Sequence, residues 1–190
     1  MASIPKIPSD TNVEMLLSEI MPKVAQEQLA QSNAAAELSG TEINMVIEIS
    51  GNAYSYTLKD GSQVIFEKGD TLNPKLRLKI SREDMEKMIK TQNLDMILGI
   101  QSDLNKIKYN TLNTLKGSFV AQITDEDGSE FKILAILNGA MEPSSVFKMS
   151  AKDSSALMRK ETNPVTLFMS GAMKIEGDMG FAMGTQPLFT

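Results

Sequence analysis

No cysteine, histidine or tryptophan occurs among the 190 residues. Without histidine there is no Ser-His-Asp triad, no Cys-His pair and no imidazole general base. Without cysteine and histidine the usual zinc sites, iron-sulfur clusters and haem ligation through either residue are excluded. No disulfide can form, so the fold rests on its core and nothing argues for an oxidising compartment. Net positive charge is also missing: 19 Lys and Arg stand against 24 Asp and Glu, the net charge is -5 and the isoelectric point about 4.9. A long-range basic field for nucleic acid is therefore missing, and anionic membranes do not attract the chain globally. No window approaches the ~20 apolar residues of a membrane span. Met1 to Lys6 carries no apolar segment of a secretory signal, and Pro187-Leu188-Phe189-Thr190 is no peroxisomal or reticulum-retention address. The expectation is a cytoplasmic protein.

What is present is ordinary for a folded chain. Hydrophobic residues make up 42% and charged residues 23%, so a core can form. At this length roughly 70% of the unfolded surface is buried on folding. Fourteen methionines outnumber the seven phenylalanines and three tyrosines together. Methionine is flexible and polarizable and fills irregular apolar space. It serves either a loosely specified core or the wall of a cavity for varied apolar ligands; composition favours the core.

Residues 1 to 10 hold Pro5 and Pro8 and read as an extended lead-in. Helical spacing begins with Val13, Leu16, Leu17, Ile20 and Val24, and Pro22 predicts a kink or a second helix start. Residues 25 to 37 are Ala- and Gln-rich, and Gly40 closes the segment. The period then changes to two. Ile43 to Ile49, Tyr54 to Leu58, Val64 to Phe66 and Leu76 to Ile80 predict an antiparallel four-strand meander, with turns at Gly51-Asn52 and Asp60-Gly61. Ser81 with Asp84 resembles a capping box before Met85, Met88 and Ile89. Leu94, Ile97, Leu98, Leu104 and Ile107 suggest another helix, interrupted by Gly99. Residues 110 to 117 read as a polar boundary.

The pattern then repeats. Phe119, Ala121 and Ile123 alternate, and Asp125 to Gly128 forms a turn. Residues 131 to 137 read as a strand buried on both faces. Val146, Phe147 and Met149 form another strand, and Ser150 precedes a helix with Asp153, Ala156, Leu157 and Met158. An offset of 69 residues carries Lys79 onto Lys148, Ser81 onto Ser150 and Asp84 onto Asp153. We read this as internal duplication of a strands-then-helix unit, the two copies sharing one core.

The C-terminal run is the most distinctive. Pro164 opens a short helix that Gly171 ends; Met173 and Ile175 share one face of a short strand. Gly177 turns the chain, and Asp178 caps a helix with Met179 and Met183 one turn apart. Met169-Ser170-Gly171, Met173-Lys174-Ile175 and Gly177 to Met183 resemble the signature of the sterol carrier protein type 2 family. The weaker resemblance covers roughly residues 115 to 184. Arg159-Lys160-Glu161-Thr162 stands where the family usually has Gly-Lys, and the first copy has no closing motif after Leu98-Gly99.

The resemblance implies an α+β fold: a twisted, mostly antiparallel sheet covered by helices, with an apolar tunnel between them. It implies a soluble carrier of a fatty acid, acyl-CoA, sterol or similar lipid, with no enzymatic chemistry and no cofactor. The lining residues it implies are Leu157, Met158, Leu167, Phe168, Met173, Ile175, Met179, Phe181 and Met183. Residues 1–190 are expected to form one compact unit, with an N-terminal half over 12–114 and a C-terminal half over 115–190. The last helix, between Gly177 and Gly184, is the expected gate. The partner would be an apolar lipid, with transient membrane contact and no nucleic acid. The alternative is a ligand-free structural or interaction module, or an accessory subunit, on the same fold. A filled interior would favour that alternative, and a cavity of several hundred Å³ the carrier. Three further groups read as surface: Asp125-Glu126-Asp127 as a solvated turn, Lys75, Arg77 and Lys79 as a strand stripe, Lys106 and Lys108 as a helix surface.

Overall fold

The computed structural model describes residues 6–99 and 103–190. The start of the extended lead-in and the middle of the helix expected around Gly99 fall outside them.

The N-terminal rod is helical over 13–31 but not uniform: α1 (Val13–Met15), a π-helical segment (Leu16–Ile20) and α2 (Met21–Gln31). Pro22 has no N–H to return to the preceding turn, and the widened segment lies just before it. There the Met21 N–H reaches five residues back to the Leu16 carbonyl. The buried Tyr56 hydroxyl donates to the Leu17 carbonyl at 2.6 Å and ties the widened turn to the sheet. Leu16, Leu17, Met21 and Leu29 are buried, each contributing about 1.5–3 kcal/mol. A short α3 (Ala34–Glu37) follows.

Eight strands form one sheet in the order β3-β2-β1-β4-β6-β5-β7-β8. β1 (Glu42–Ile49), β2 (Asn52–Lys59) and β3 (Gln63–Lys68) are an antiparallel meander, as predicted. Asp60 and Gly61 both take positive φ (55° and 60°), the geometry of a type I′ turn. At the other hairpin the positive-φ pair is Ser50-Gly51, one residue before the expected turn. The fourth strand corrects the meander: β4 (Leu76–Ile80) lies beside β1 and parallel to it. The connection from Gly69 crosses the outer sheet face to reach it. There the Ser55 hydroxyl donates to the Gly69 carbonyl at 2.6 Å, and Asp70 pairs with Arg77 at 2.7 Å.

α4 (Arg82–Thr91) starts as expected, with the Asp84 N–H donating to the Ser81 hydroxyl at 3.0 Å. The single helix expected next is instead α5 (Asp95–Gly99) and α6 (Lys106–Thr114), so residues 110–114 are helical rather than a boundary. Then come β5 (Gly117–Thr124), β6 (Glu130–Leu137) and β7 (Ser144–Ser150), followed by α7 (Ala151–Met158). β6 departs from its expectation. Phe131, Ile133, Ala135 and Leu137 are buried, whereas Lys132 is exposed and Leu134 and Ile136 are half-buried. An apolar run here marks a central strand with one covered face, not two. α8 (Pro164–Met169), β8 (Met173–Gly177), α9 (Met179–Gly184) and a 3₁₀ turn (Gln186–Leu188) complete the chain.

A three-strand arrangement occurs twice in the sheet. β5 pairs antiparallel with β6 and parallel with β7, as β1 does with β2 and β4. Glu48 stands opposite Lys79, and Gln122 opposite Lys148. The Asp153 N–H donates to the Ser150 hydroxyl at 3.0 Å, matching the Ser81 cap. The register therefore equates Met45 and Ile47 of β1 with Phe119 and Ala121 of β5, and Leu78 of β4 with Phe147 of β7.

Arg77 and Lys79 of the expected basic stripe lie on the outer face and are paired. Arg77 meets Glu48 at 3.1 Å, and Lys79 meets the same carboxylate at 3.1 Å. In the acidic turn, Asp125 accepts from the Asn93 amide, and Asp127 accepts from the Ser129 N–H.

Lys108 corrects the surface reading: it is 3% exposed, while neighbouring Ile107 is 66% exposed. α6 turns Lys108 and Leu112 inward together, four residues apart on one face. Burial, then the nearby Lys160, pushes the Lys108 amine down to about 8; Asp103 opposes the shift. The free amine titrates at 10.5, so between about 8 and 10.5 the unfolded chain holds more protons than the folded one. Unfolding free energy therefore rises with pH across that window, because the cost of burying the charge is relieved. Lys108→Met is expected to be more stable than wild type at pH 7 by about 1–3 kcal/mol. The gap should narrow by pH 9.5, and urea midpoints of both proteins at the two pH values check it.

Candidate functional site

The inner face of the C-terminal half carries an apolar cavity of about 240 Å³. Its floor is built by strand alternation. Phe119 and Ala121 of β5, Phe147 and Met149 of β7, and Met173 and Ile175 of β8 all point to it. The register brings them together: Ala121 is opposite Phe147, Phe147 opposite Ile175, and Met149 opposite Met173. Phe119, Phe147 and Phe189 form an edge-to-face cluster, with centroids 5.3, 5.9 and 6.4 Å apart. Such pairs fix ring orientation better than aliphatic contacts do.

The roof is helical. Asn163 caps α8 by accepting from the Thr166 N–H at 2.9 Å, and Pro164 occupies the first turn, where its missing N–H costs nothing. Gly171, at φ 75°, turns the chain from α8 into β8. α9 starts at Asp178, whose carboxylate accepts from the Phe181 N–H at 2.7 Å. The start of α9 is also fixed to β7: the Asp178 N–H donates to the Ser144 carbonyl at 2.8 Å, and the Ser145 hydroxyl to the Asp178 carbonyl at 2.6 Å. α5 supplies Met96. Its place is set by the buried Asp95, which pairs with Arg159 at the end of α7 at 3.1 Å.

Val165, Phe168, Met169 and Met183 are the exposed members of the lining and mark its opening, with Met169 at 78% exposure. Thr185 and Gln186 are its polar members, and among the described residues no ionisable side chain lines it. The Thr185 hydroxyl donates to the Ala182 carbonyl at 2.7 Å.

Of the residues singled out from the sequence, Leu157, Phe168, Met173, Ile175 and Met183 line this cavity. Met158, Leu167 and Phe181 are buried away from its wall, and Met179 is exposed on α9. The Phe181 ring packs over Gly117 instead, where a Cβ would overlap it. Sequence reasoning missed the inward positions of β5 and β7. Their alternation was visible, but which of the two faces meets the C-terminal helices was not.

The equivalent face of the N-terminal half is filled. Met45, Ile47 and Leu78 enclose only about 20 Å³ together with Met21 and Ala25 of α2. α5 stands between the two spaces, with Met96 on the larger and Ile97 on the smaller.

Residues 100–190 match the SCP-2 sterol transfer family. The match contains β5 to β8 and α6 to α9, and so every wall of the cavity except Met96. The resemblance read from the C-terminal motif thus falls on the SCP-2 region. Among solved structures, the sterol carrier protein domain 2 of Helicoverpa armigera is 22% identical. Its match covers 53% of this chain and 84% of that one, with a TM-score of 0.39. Sterol carrier protein 2 of Yarrowia lipolytica in its apo form is 16% identical over 42% of this chain and 76% of that one, TM-score 0.35. Sterol carrier protein-2 like-3 of Aedes aegypti is 11% identical over 54% and 92%, TM-score 0.34. No curated protein matches the chain by sequence. Among the described residues, no helix is long and apolar enough to cross a membrane.

Proposed function

We propose that the chain is a carrier that holds one apolar, lipid-like ligand in the cavity between β5, β7 and β8 and the helices α8 and α9. The observation that carries this reading is an apolar space of about 240 Å³ within the region matching a sterol transfer family. A ligand entering it gains about 25 cal/mol for each Å² removed from water, with no directional contact needed. Leu157, Phe168, Met173, Ile175 and Met183 would touch the ligand. Met158, Leu167 and Phe181 would support the wall from behind, and Met179 would lie outside it.

The ligand would enter beneath α8. The start of α9 is pinned to β7, whereas α8 carries three of the four exposed lining residues, Val165, Phe168 and Met169. This moves the gate expected at α9 to its neighbour. Passive exchange accounts for the function without catalytic groups. The ligand-free module needs a filled interior, and only the N-terminal half has one.

Native mass spectrometry of the purified protein, followed by solvent extraction, tests the reading. One lipid per chain is expected, because α2 already fills the face equivalent to the cavity. A clean protein mass, with no uptake of a fluorescent lipid at micromolar concentration, would return the chain to the interaction-module reading.

A further inference from the structure

We infer that β8 is an interaction edge whose partner is a second copy of this chain, the two β8 strands pairing antiparallel about Ile175. The inference does not depend on what the cavity holds. β3 and β8 are the two edges of the sheet, and an uncovered edge is a template for another strand. The β3 edge is closed by its own chain: the Gln26 side chain accepts from the Val64 N–H at 2.9 Å and donates to the Ser62 carbonyl. The β8 edge has no such guard and no proline. The Asp178 N–H donates to the Ser144 carbonyl, so the antiparallel alternation makes Glu176 and Lys174 the residues bonded to β7. Met173, Ile175 and Gly177 then turn N–H and C=O outward, and among the described residues no side chain bonds to these groups.

The edge is complementary to itself. When Ile175 stands opposite Ile175 of the second copy, Lys174 stands opposite the second copy's Glu176, and symmetry forms the pair twice. Both side chains are exposed. Within one chain Lys174 is placed opposite Lys148, and Lys148 takes the Glu176 carboxylate through Oε1 at 2.7 Å. The Oε2 atom would accept from the second copy's Lys174.

The same symmetry covers apolar surface. A two-fold axis perpendicular to the sheet keeps the helices of both copies on one side. α8 packs against β8 and carries exposed Val165, Phe168 and Met169. Beside the seam these side chains would face those of the second copy instead of solvent. The contact closes on itself, and the guarded β3 edge adds no further copy, so assembly stops at two.

The test is sedimentation equilibrium of the full chain from low micromolar to a few hundred micromolar. Wild type should pass from the 20.8 kDa of one chain to twice that mass. K174E sets like charges opposite each other twice and should weaken the dimer at least about tenfold. The same change places an acid opposite Lys148, so the monomer keeps its fold. The swap K174E/E176K remakes both pairs and should return the dissociation constant to within about threefold of wild type. The chain has no cysteine, so I175C offers a single disulfide, across the axis, where Cα atoms of a bonded pair lie about 5.5 Å apart. Mild oxidation should link I175C chains in pairs. Wild type that stays monomeric at the highest concentration would overturn the inference. So would a dimer that K174E leaves unchanged or that I175C does not cross-link, because its contact would lie elsewhere.

Discussion

Ala121→Phe is expected to weaken binding of an apolar ligand by about 100-fold or more, equivalent to about 2.7 kcal/mol, while leaving the protein as stable as wild type. Ala121 is buried in the middle of β5, and its methyl group is part of the cavity floor. A phenyl ring at this position would stand in the space of about 240 Å³ beside Phe147 and take the room of a ligand tail. It would meet open volume rather than packed atoms, so the overpacking cost of about 1–3 kcal/mol that enlarging a filled core incurs does not arise. Ile47→Phe is the matched control. Ile47 occupies the equivalent position in β1, where only about 20 Å³ remains beneath α2. That substitution should cost about 1–3 kcal/mol of stability and leave ligand affinity nearly unchanged. Probe titration and thermal melting of the two variants separate the outcomes. Normal binding by a folded Ala121→Phe protein would show that the ligand sits elsewhere.

Gly117→Val is the second large effect, and it acts on stability. Gly117 begins β5 at φ +140°, a conformation that L side chains rarely adopt. A Cβ there would also overlap the Phe181 ring and the Pro143 carbonyl. Strain and collision together should cost about 3–5 kcal/mol, a large share of the ~5–15 kcal/mol by which domains are stable. The damage would reach the cavity, because Phe181 anchors α9 and the next two residues, Ala182 and Met183, are in its wall. Gly128→Ala is the contrast: φ is +82°, and nothing lies within 4 Å of the added carbon. It should cost only about 1–2 kcal/mol, the left-handed penalty alone. Urea unfolding curves test both. A Gly117→Val midpoint equal to that of wild type would mean that Phe181 does not lie over β5.

Local signals were legible where chemistry is local. Ser81, Ser150 and Asp178 each accept from an N–H in the first turn of the helix they precede. Spacing and residue type predict such caps because donor and acceptor are three residues apart. The Lys108 error has the opposite origin. Lys106, Ile107 and Lys108 follow one another, and nothing in that short run says which way α6 will face. Packing turned the lysine inward and left the isoleucine in solvent.

By itself the sequence determined the strands, most of the helices and their caps, and the C-terminal motif that falls within the SCP-2 match. It also determined the exclusions: without histidine and cysteine, whole classes of chemistry were closed. Tertiary structure decided that β4 runs beside β1, that α2 fills one half of the inner face, and that the other half keeps a cavity. The physical reason is distance along the chain. Periodicity reports which side of a strand is apolar, but a void is a relation among β5, β7, β8 and helices drawn from residues 95 to 189. Met45 and Phe119 read alike as buried strand residues, and only what packs over each one separates a filled core from a binding site.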